Sequence, residues 1–328
     1  MSFIVRRLIF YVVAAWVALT INFFIPRLVP GNVVESIMGK FPNLQPSAYR
    51  ALEALLGVGH PGSIWHQYWA YLVDLSHFDL GTSVSQYPAQ VTTLLGEALP
   101  WTIILVGTAT VIAFLIGTAL GIAAGWRHGG GLDRALPGLT FLQALPYFFF
   151  ALILLELFAV KLHVFPIAQG YGQGLVPGWH WDFISSAVYH SLLPALTIVL
   201  TSIAGWMLQM RNVMITTIGE DYVVAAQAKG LPNRRVIWSY AARNALLPQL
   251  QGFGLAVGFV VSGALVMEIL FSYPGIGLLL VNAVTSNDYP LTQAIFLVIT
   301  FTVLLANLLV DIIIVFVDPR ARAREATR

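Results

Sequence analysis

Residues 221–248, DYVVAAQAKGLPNRRVIWSYAARNALLP, form a polar stretch between two long apolar runs. The first part of this stretch predicts a short helix. Glu220 and Asp221 stand at its start and Lys229 stands at its end, so the charges complement the helix dipole. The stretch therefore predicts a compact, charged helical element attached to a largely apolar chain.

The middle of the stretch predicts a turn. Gly230 suits the position just after a helix end, where the backbone often adopts a positive φ, and Pro232 cannot continue the helix. We expect a second, basic helix from about Asn233 to Leu246, with Pro248 at the entry to the next apolar run. The sequence thus predicts a helical hairpin.

The composition predicts a membrane protein. Of the 328 residues, 58% are hydrophobic and 10% are charged, and the mean hydropathy is +0.79, whereas soluble domains carry about 25% charged residues. The chain has no cysteine, which excludes a disulfide framework and cysteine-based catalysis or metal binding. We therefore expect an all-α membrane protein.

Six apolar runs are long enough to cross a membrane, because a helix needs about 20 residues to span the hydrocarbon. The predicted spans are Leu8–Ile25, Trp101–Trp126, Ala135–Val160, Ser191–Met210, Leu250–Leu270 and Leu291–Val317. The first run is longer than the core of a signal peptide, so we expect it to be retained. The predicted divisions are a cytoplasmic N-terminus (1–7), a first span (8–25), an external loop with short amphipathic helices (26–100), a five-helix core (101–318) that contains a cytoplasmic coupling segment (211–249), and a cytoplasmic tail (319–328).

The distribution of basic residues predicts the orientation. With six spans, thirteen of the seventeen Lys and Arg residues fall on the side of the N-terminus. Cytoplasmic loops carry the excess of Lys and Arg in membrane proteins. We therefore expect both termini and residues 221–248 in the cytoplasm, and residues 26–100 outside.

Motifs for enzymatic chemistry are absent. A phosphate-binding P-loop needs Gly-Lys followed by Ser or Thr, and the three lysines are followed by Phe41, Leu162 and Gly230. There is no H-E-x-x-H or G-x-S-x-G, and the seven histidines show no ligand spacing. We expect no catalytic residues, metal or cofactor in this chain, and an energy source in another chain.

Three acidic residues, Glu156, Glu268 and Asp311, fall within or at the edge of predicted spans. Carboxylates inside membranes are costly, so each is a candidate functional residue. A structural or interfacial role is the favoured interpretation for Glu156 and Asp311. For Glu268 a structural role and a place in the lining of a translocation cavity are both open.

Gly117, Gly121 and Gly125 fall on one face of the second predicted span. Small residues at this spacing allow close packing of helices in lipid. Packing within this subunit is the favoured interpretation, and a place for Gly117 and Gly121 at a pore or at a subunit contact is the alternative.

The polar stretch resembles the coupling motif of ATP-binding-cassette importer permeases, which reads Glu-Ala-Ala, three residues, Gly, and later Leu-Pro. Ala225, Ala226 and Gly230 match this pattern, and Val224 stands at the position of Glu. The distant Leu-Pro at 247–248 is similar to the oligopeptide, dipeptide and nickel permeases, in particular their B-type subunit. Further similar segments are RLVPGN (27–32), DLGTS (79–83), MEILFSYPGIGLLL (267–280), NDYPLTQAI (287–295) and DPRAR (318–322).

The resemblance implies a type I ABC importer permease fold with six transmembrane helices in a bacterial or archaeal cytoplasmic membrane. It implies that this chain forms half of a pore with a second homologous permease. Two ATPase subunits would bind ATP and Mg²⁺, and an external substrate-binding protein would deliver the substrate. Contact with the ATPase is expected from Asp221, Tyr222, Ala225, Ala226, Lys229, Gly230 and Leu231.

Several alternatives stay open on the sequence. Di- and oligopeptides are the expected substrates on the resemblance alone, with oligosaccharides or nickel chelates as alternatives. A secondary carrier or channel is a different class, which would need paired charges inside the spans. A membrane-embedded enzyme would need a nucleophile or metal set that the sequence does not show.

Overall fold

A computed structural model describes residues 3–28, 63–134, 138, 141, 145–258, 260 and 265–317. Within these ranges the chain is mainly helical, apart from connections such as 77–90 and 162–180, and the one β feature is an isolated antiparallel bridge between Thr82 and Gln90. The helices are α1 (Phe3–Leu28), α2 (Ile64–Ser76), α3 (Val91–Trp126), α4 (Tyr147–Leu154), α5 (Trp181–Ile218), α6 (Asp221–Ala228), α7 (Arg243–Gly258), α8 (Leu265–Leu270), α9 (Ile276–Thr285) and α10 (Tyr289–Val317). The predicted all-α class is confirmed.

Four helices in the described ranges are long and apolar enough to cross a membrane. They are α1, α3, α5 and α10, which correspond to four of the six predicted spans. The other two predicted spans, 135–160 and 250–270, include residues outside the described ranges. The count of six spans therefore stays a prediction, as do the divisions that depend on it.

The helix α2 lies in the predicted external loop, where the sequence predicts a short amphipathic helix. The Ser63 hydroxyl caps its first turn by accepting from the His66 backbone N–H at 3.4 Å. Trp65 and Trp69 are 70% and 68% exposed, as suits side chains at a membrane–water interface. The rest of the predicted loop before residue 63, from residue 29 onward, and the segment 318–328 lie outside the described residues.

The long helices α3 and α5 each begin ten residues before the predicted spans. Pro100 and Pro194 lie inside these helices rather than at their starts. A proline removes one backbone hydrogen bond, and tertiary packing offsets this loss in α3. Its early residues Val91, Leu94, Leu95 and Ala98 are buried in one cluster with residues of α9 and α10. The helix α3 therefore begins ten residues before the predicted span at Trp101, and the point at which it enters the membrane stays a prediction.

The glycine face of α3 packs directly on α5. A Cβ at Gly121 would lie 2.6 Å from the Met207 carbonyl oxygen and 2.6 Å from the Met210 Cβ. A Cβ at Gly117 would lie 2.6 Å from the Trp206 Cβ. This face is closed by a helix of the same chain. The observation corrects the alternative in which Gly117 and Gly121 line a pore, and it supports packing within the subunit.

The first and last described helices are joined by polar contacts. Arg7 and Tyr11 of α1 both donate to Oδ2 of Asp311 on α10, Tyr11 at 2.6 Å. Asn22 Nδ2 donates to the Gln293 carbonyl at 2.9 Å. Asp311 thus has a basic partner, which the sequence alone does not reveal because Arg7 precedes the predicted span. The contacts support a structural role for Asp311.

Glu156 lies in the wide π-helical turns Leu155–Lys161 that follow α4. Its carboxylate is 3.7 Å from the Lys161 ammonium, and both side chains are more than half exposed. Such an exposed pair contributes little to stability. The geometry supports an interfacial role for Glu156.

Candidate coupling segment

Local backbone contacts define α6. The amides of Val223 and Val224 donate to the Glu220 carbonyl at 2.9 and 3.1 Å, so the helix begins where the sequence predicts. At the other end Gly230 has a φ of +72°, and the Leu231 amide donates to the Ala226 carbonyl at 3.3 Å. This is the left-handed C-terminal geometry that glycine favours. The predicted turn at Gly230 is confirmed.

One face of α6 is part of the protein core. Val223 is 0% exposed and Ala226 is 4% exposed. Both pack in a cluster with Met214 of α5 and with Val236 and Ala242 of the following arm. Ala226 therefore faces its own subunit. Of the two alanines that the resemblance places in contact with the ATPase, only Ala225 is exposed.

The opposite face of α6 is exposed. Ala225 and Asp221 are exposed, and Tyr222 and Val224 are 40% and 50% exposed. Lys229 is exposed at the end of the helix. We call this set, Asp221, Tyr222, Val224, Ala225 and Lys229, the outer face of α6. Val224 is not among the contact residues that the resemblance implies. Its exposure follows from the helix, because the buried face is occupied by Val223 and Ala226.

The second arm of the hairpin is longer than predicted. It begins with the short helix Asn233–Arg235, widens to π-helical turns at Val236–Ala242 and continues as α7 to Gly258. Pro248 lies inside α7, so it does not mark the boundary of the arm. From Asn233 to Gly258 the second arm and the start of the following apolar run form one continuous helical rod.

A buried amide ties this rod to the long helices. Gln249 is 0% exposed, and its Nε2 donates to the Trp206 carbonyl of α5 at 3.0 Å and to Thr118 Oγ1 of α3 at 3.3 Å. The hairpin is therefore fixed both by the apolar cluster around Ala226 and by these hydrogen bonds. The hairpin is thus in direct contact with both α5 and α3.

The turn after α3 is fixed to α5 by an ion pair. Arg211 Nε donates to Oδ1 of Asp133, and the Gly129 amide donates to Oδ2 at 2.8 Å. The hydrogen bond from Arg211, followed by that from Gly129, lowers the pKa of Asp133 to about 2. The sequence gives no local signal for this pair because its members are 78 positions apart.

Glu268 has a structural place in this conformation. It is 0% exposed, and it accepts from Thr102 Oγ1 at 2.7 Å and from the Gly277 amide at 2.6 Å. The Ile276 amide in turn donates to Thr102 Oγ1 at 2.8 Å. The carboxylate therefore satisfies donors at the start of α9 and faces protein rather than a cavity. This corrects the cavity-lining alternative for the conformation described.

The family comparison covers the region that contains this hairpin. The model for the inner membrane component of binding-protein-dependent transport systems matches residues 117–323. The chain belongs to this family. The matched region includes α5, α6, α7 and the Gly230 turn, so the family assignment and the observed hairpin concern the same residues.

Three relatives match over nearly their full length. A putative peptide permease protein of Brucella suis is 33% identical over 93% of this chain and 94% of its own. The dipeptide transport system permease protein of Escherichia coli K12 is 31% identical over 99% and 100%. The di/tripeptide transport system permease protein of Pseudomonas aeruginosa is 32% identical over 98% and 99%.

The permease has the type I importer fold of its family. It is a multi-pass membrane protein and a component of the membrane channel rather than the ATPase of such a system. Among the described residues, no group of three or more His, Cys, Asp or Glu side chains could hold a metal ion.

Proposed function

We propose that this chain is one of two homologous permeases that form the pore of an ATP-driven importer for di- and oligopeptides. The three relatives are peptide permeases that match over nearly their full length, which supports peptides over oligosaccharides or nickel chelates. ATP and Mg²⁺ bind to two separate ATPase subunits, and an external binding protein delivers the peptide. The chain lies in a bacterial cytoplasmic membrane with both termini inside.

The observation that carries this proposal is the two-sided character of α6. Its inner face is fixed in the core through Val223 and Ala226, and its outer face is exposed with two large apolar residues, Tyr222 and Val224. A short helix of this kind can enter a groove of another protein without losing its own support. The ATPase docks on the outer face, and its movement is transmitted through the continuous rod to the pore.

Reconstitution tests the proposal. The tagged chain is purified in mild detergent with the products of neighbouring genes, and uptake of labelled dipeptides into vesicles is measured with ATP inside and the binding protein outside. We expect an ATPase pair to co-purify and uptake to require ATP. Uptake without any ATPase would indicate a carrier or channel. Uptake of nickel chelates or oligosaccharides in place of peptides would contradict the proposal that peptides are the substrates.

A further inference from the structure

An open depression lies at the start of the second arm of the hairpin. Its volume is about 490 Å³, and it is lined by Pro232, Arg234, Arg235, Trp238 and Ser239. Pro232 follows the Gly230 turn by two residues, so the depression continues the coupling segment along the chain. We call these five residues the basic depression.

The charges of the basic depression have no acidic partner in the described part of the chain. None of the ion pairs formed there includes Arg234 or Arg235, and both side chains are exposed. A guanidinium presents a planar fork of donors that matches a carboxylate or a phosphate. Trp238, which is 55% exposed, adds an apolar wall. The lining of the depression is therefore suited to bind a small anionic group.

Its distance from the membrane argues against a lipid headgroup. Trp238 lies twelve residues before Leu250, where the predicted span begins, and the chain between them is helical. At the α-helical rise of about 1.5 Å per residue the separation is at most about 18 Å, or about 14 Å for a helix tilted by about 40°, since the π-helical turns up to Ala242 rise less per residue. The headgroup layer is about 5–8 Å thick on each side. With the span beginning at Leu250 as predicted, the depression lies beyond the headgroup layer, which favours a protein carboxylate over a lipid phosphate as its partner.

We propose that the basic depression receives an acidic side chain of the ATPase subunit that docks on α6. This inference rests on the proposed function. It extends the docking surface from the outer face of α6 to Arg234 and Arg235 of the second arm. It also states the chemistry of the partner: the part of the ATPase groove that faces this arm carries Asp or Glu.

The test compares variants in the assembled complex of both permeases and both ATPases. The double variant Arg234→Glu/Arg235→Glu reverses the charge of the depression, and Arg234→Lys/Arg235→Lys keeps it. Arg243→Glu is the matched control, because Arg243 is exposed on the same arm but does not line the depression. ATPase retained after washes of increasing salt and ATPase activity stimulated by the binding protein are measured in nanodiscs of neutral or anionic lipid.

We expect the double Glu variant to retain about tenfold less ATPase than the wild type in both lipids, since like charges then oppose each other. The double Lys variant should stay within about threefold, and Arg243→Glu should match the wild type. If the double Glu variant fails to assemble the permease pair, Arg234→Gln/Arg235→Gln takes its place, with a smaller loss expected.

Three results would overturn the inference. They are unchanged retention in the charge-reversed complex, an equal loss with Arg243→Glu, and a loss confined to anionic lipid, which would indicate a headgroup. Failure of the proposed function gives a different result, because then the wild-type permease itself would retain no ATPase.

Discussion

At the scale of single residues, adjacent alanines of α6 have different environments. Ala225 is exposed, whereas Ala226 is 4% exposed and packs against the core of its own subunit. A bulky substitution should therefore impair partner binding at position 225 and protein stability at position 226. The sequence motif does not distinguish the two alanines, whereas the structure places one on the surface and the other in the core.

We predict that Ala225→Trp blocks ATPase docking while the permease keeps its stability, because the added ring projects from the outer face. Ala226→Trp should instead destabilise the permease by about 1–3 kcal/mol through overpacking. Thermal unfolding in detergent and ATPase co-purification separate the two effects. Equal thermal stability of the two variants would contradict the assignment of faces.

Gly230 is the second position where a single residue matters. Its φ of +72° is disfavoured for other residues, although no atom lies within 4 Å of the position that a Cβ would occupy. The cost of a side chain there is conformational rather than steric.

We predict that Gly230→Val destabilises the hairpin by at least about 1–2 kcal/mol and uncouples ATP hydrolysis from uptake. Gly219→Ala is the matched control, because Gly219 has a φ of −78° at the end of α5. The measurements are thermal unfolding and the ratio of peptide imported to ATP hydrolysed. If Gly230→Val has the thermal stability and the transport-to-hydrolysis ratio of the wild type, the turn at Gly230 has no role in coupling.

At the scale of helices, the close approach of α3 and α5 depends on the glycine face. The nearest atoms to a Cβ at Gly121 include a backbone oxygen, which cannot move aside as a flexible side chain can. Gly96 lies on the same helix with nothing within 4 Å of its Cβ position.

We predict that Gly121→Ala destabilises the permease by about 1–3 kcal/mol, since the two helices must separate. Gly96→Ala should be neutral or stabilise it by up to about 1 kcal/mol, because alanine favours the helix. Unfolding in detergent compares the two variants. A Gly121→Ala variant as stable as Gly96→Ala would show that α5 does not pack on this face.

The Asp133–Arg211 pair predicts an acid dependence. The pKa of Asp133 falls from 3.8 to about 2 on folding, so the stabilisation by the pair is complete above about pH 5 and is lost as the pH falls towards 2. Asp133→Asn should be less stable than the wild type at pH 5, and the difference should shrink between pH 4 and pH 2. Asp182→Asn, at the exposed first turn of α5, is the control. A difference that is constant with pH would contradict the pair.

Some of these elements can be predicted from the residues within them. The hairpin turn follows from Gly230 and Pro232 alone, and the apolar runs of α1 and α10 follow from length and composition. The start of α3 at Val91 could not be predicted, because it depends on packing against α9 and α10. The burial of Ala226 and the partner of Asp133 likewise depend on contacts with residues distant in sequence.

At the scale of the whole molecule, distant segments are joined at the predicted external side. Asp288 at the start of α10 is 0% exposed. It accepts from the hydroxyls of Ser83 and Ser85, the latter at 2.8 Å, and from the Ser85 amide at 2.9 Å. The segment before α3 is thereby held against the last described helix.

We predict that Asp288→Ala loosens this segment, since the buried Ser83 hydroxyl loses its acceptor at a cost of about 1–3 kcal/mol, and the exposed Ser85 loses its tie to α10. Hydrogen exchange of residues 79–90 should accelerate in the variant. Asp79→Ala is the control, because Asp79 is exposed and its carboxylate accepts only locally, from the Gly81 amide at 2.9 Å. Equal exchange in the two variants would mean that Asp288 does not hold the segment.

The Ser83–Asp288 contact spans 205 positions of the chain, and this has a consequence for biogenesis. Ribosomes add about 5–20 residues per second, so Ser83 waits about 10–40 seconds before its acceptor is made. In the proposed orientation, the early segment reaches the outer side before its final partner is made. In that orientation we expect the segment from residue 288 onward to complete the outer surface, so a chain released before residue 288 should leave residues 79–90 more accessible to added protease.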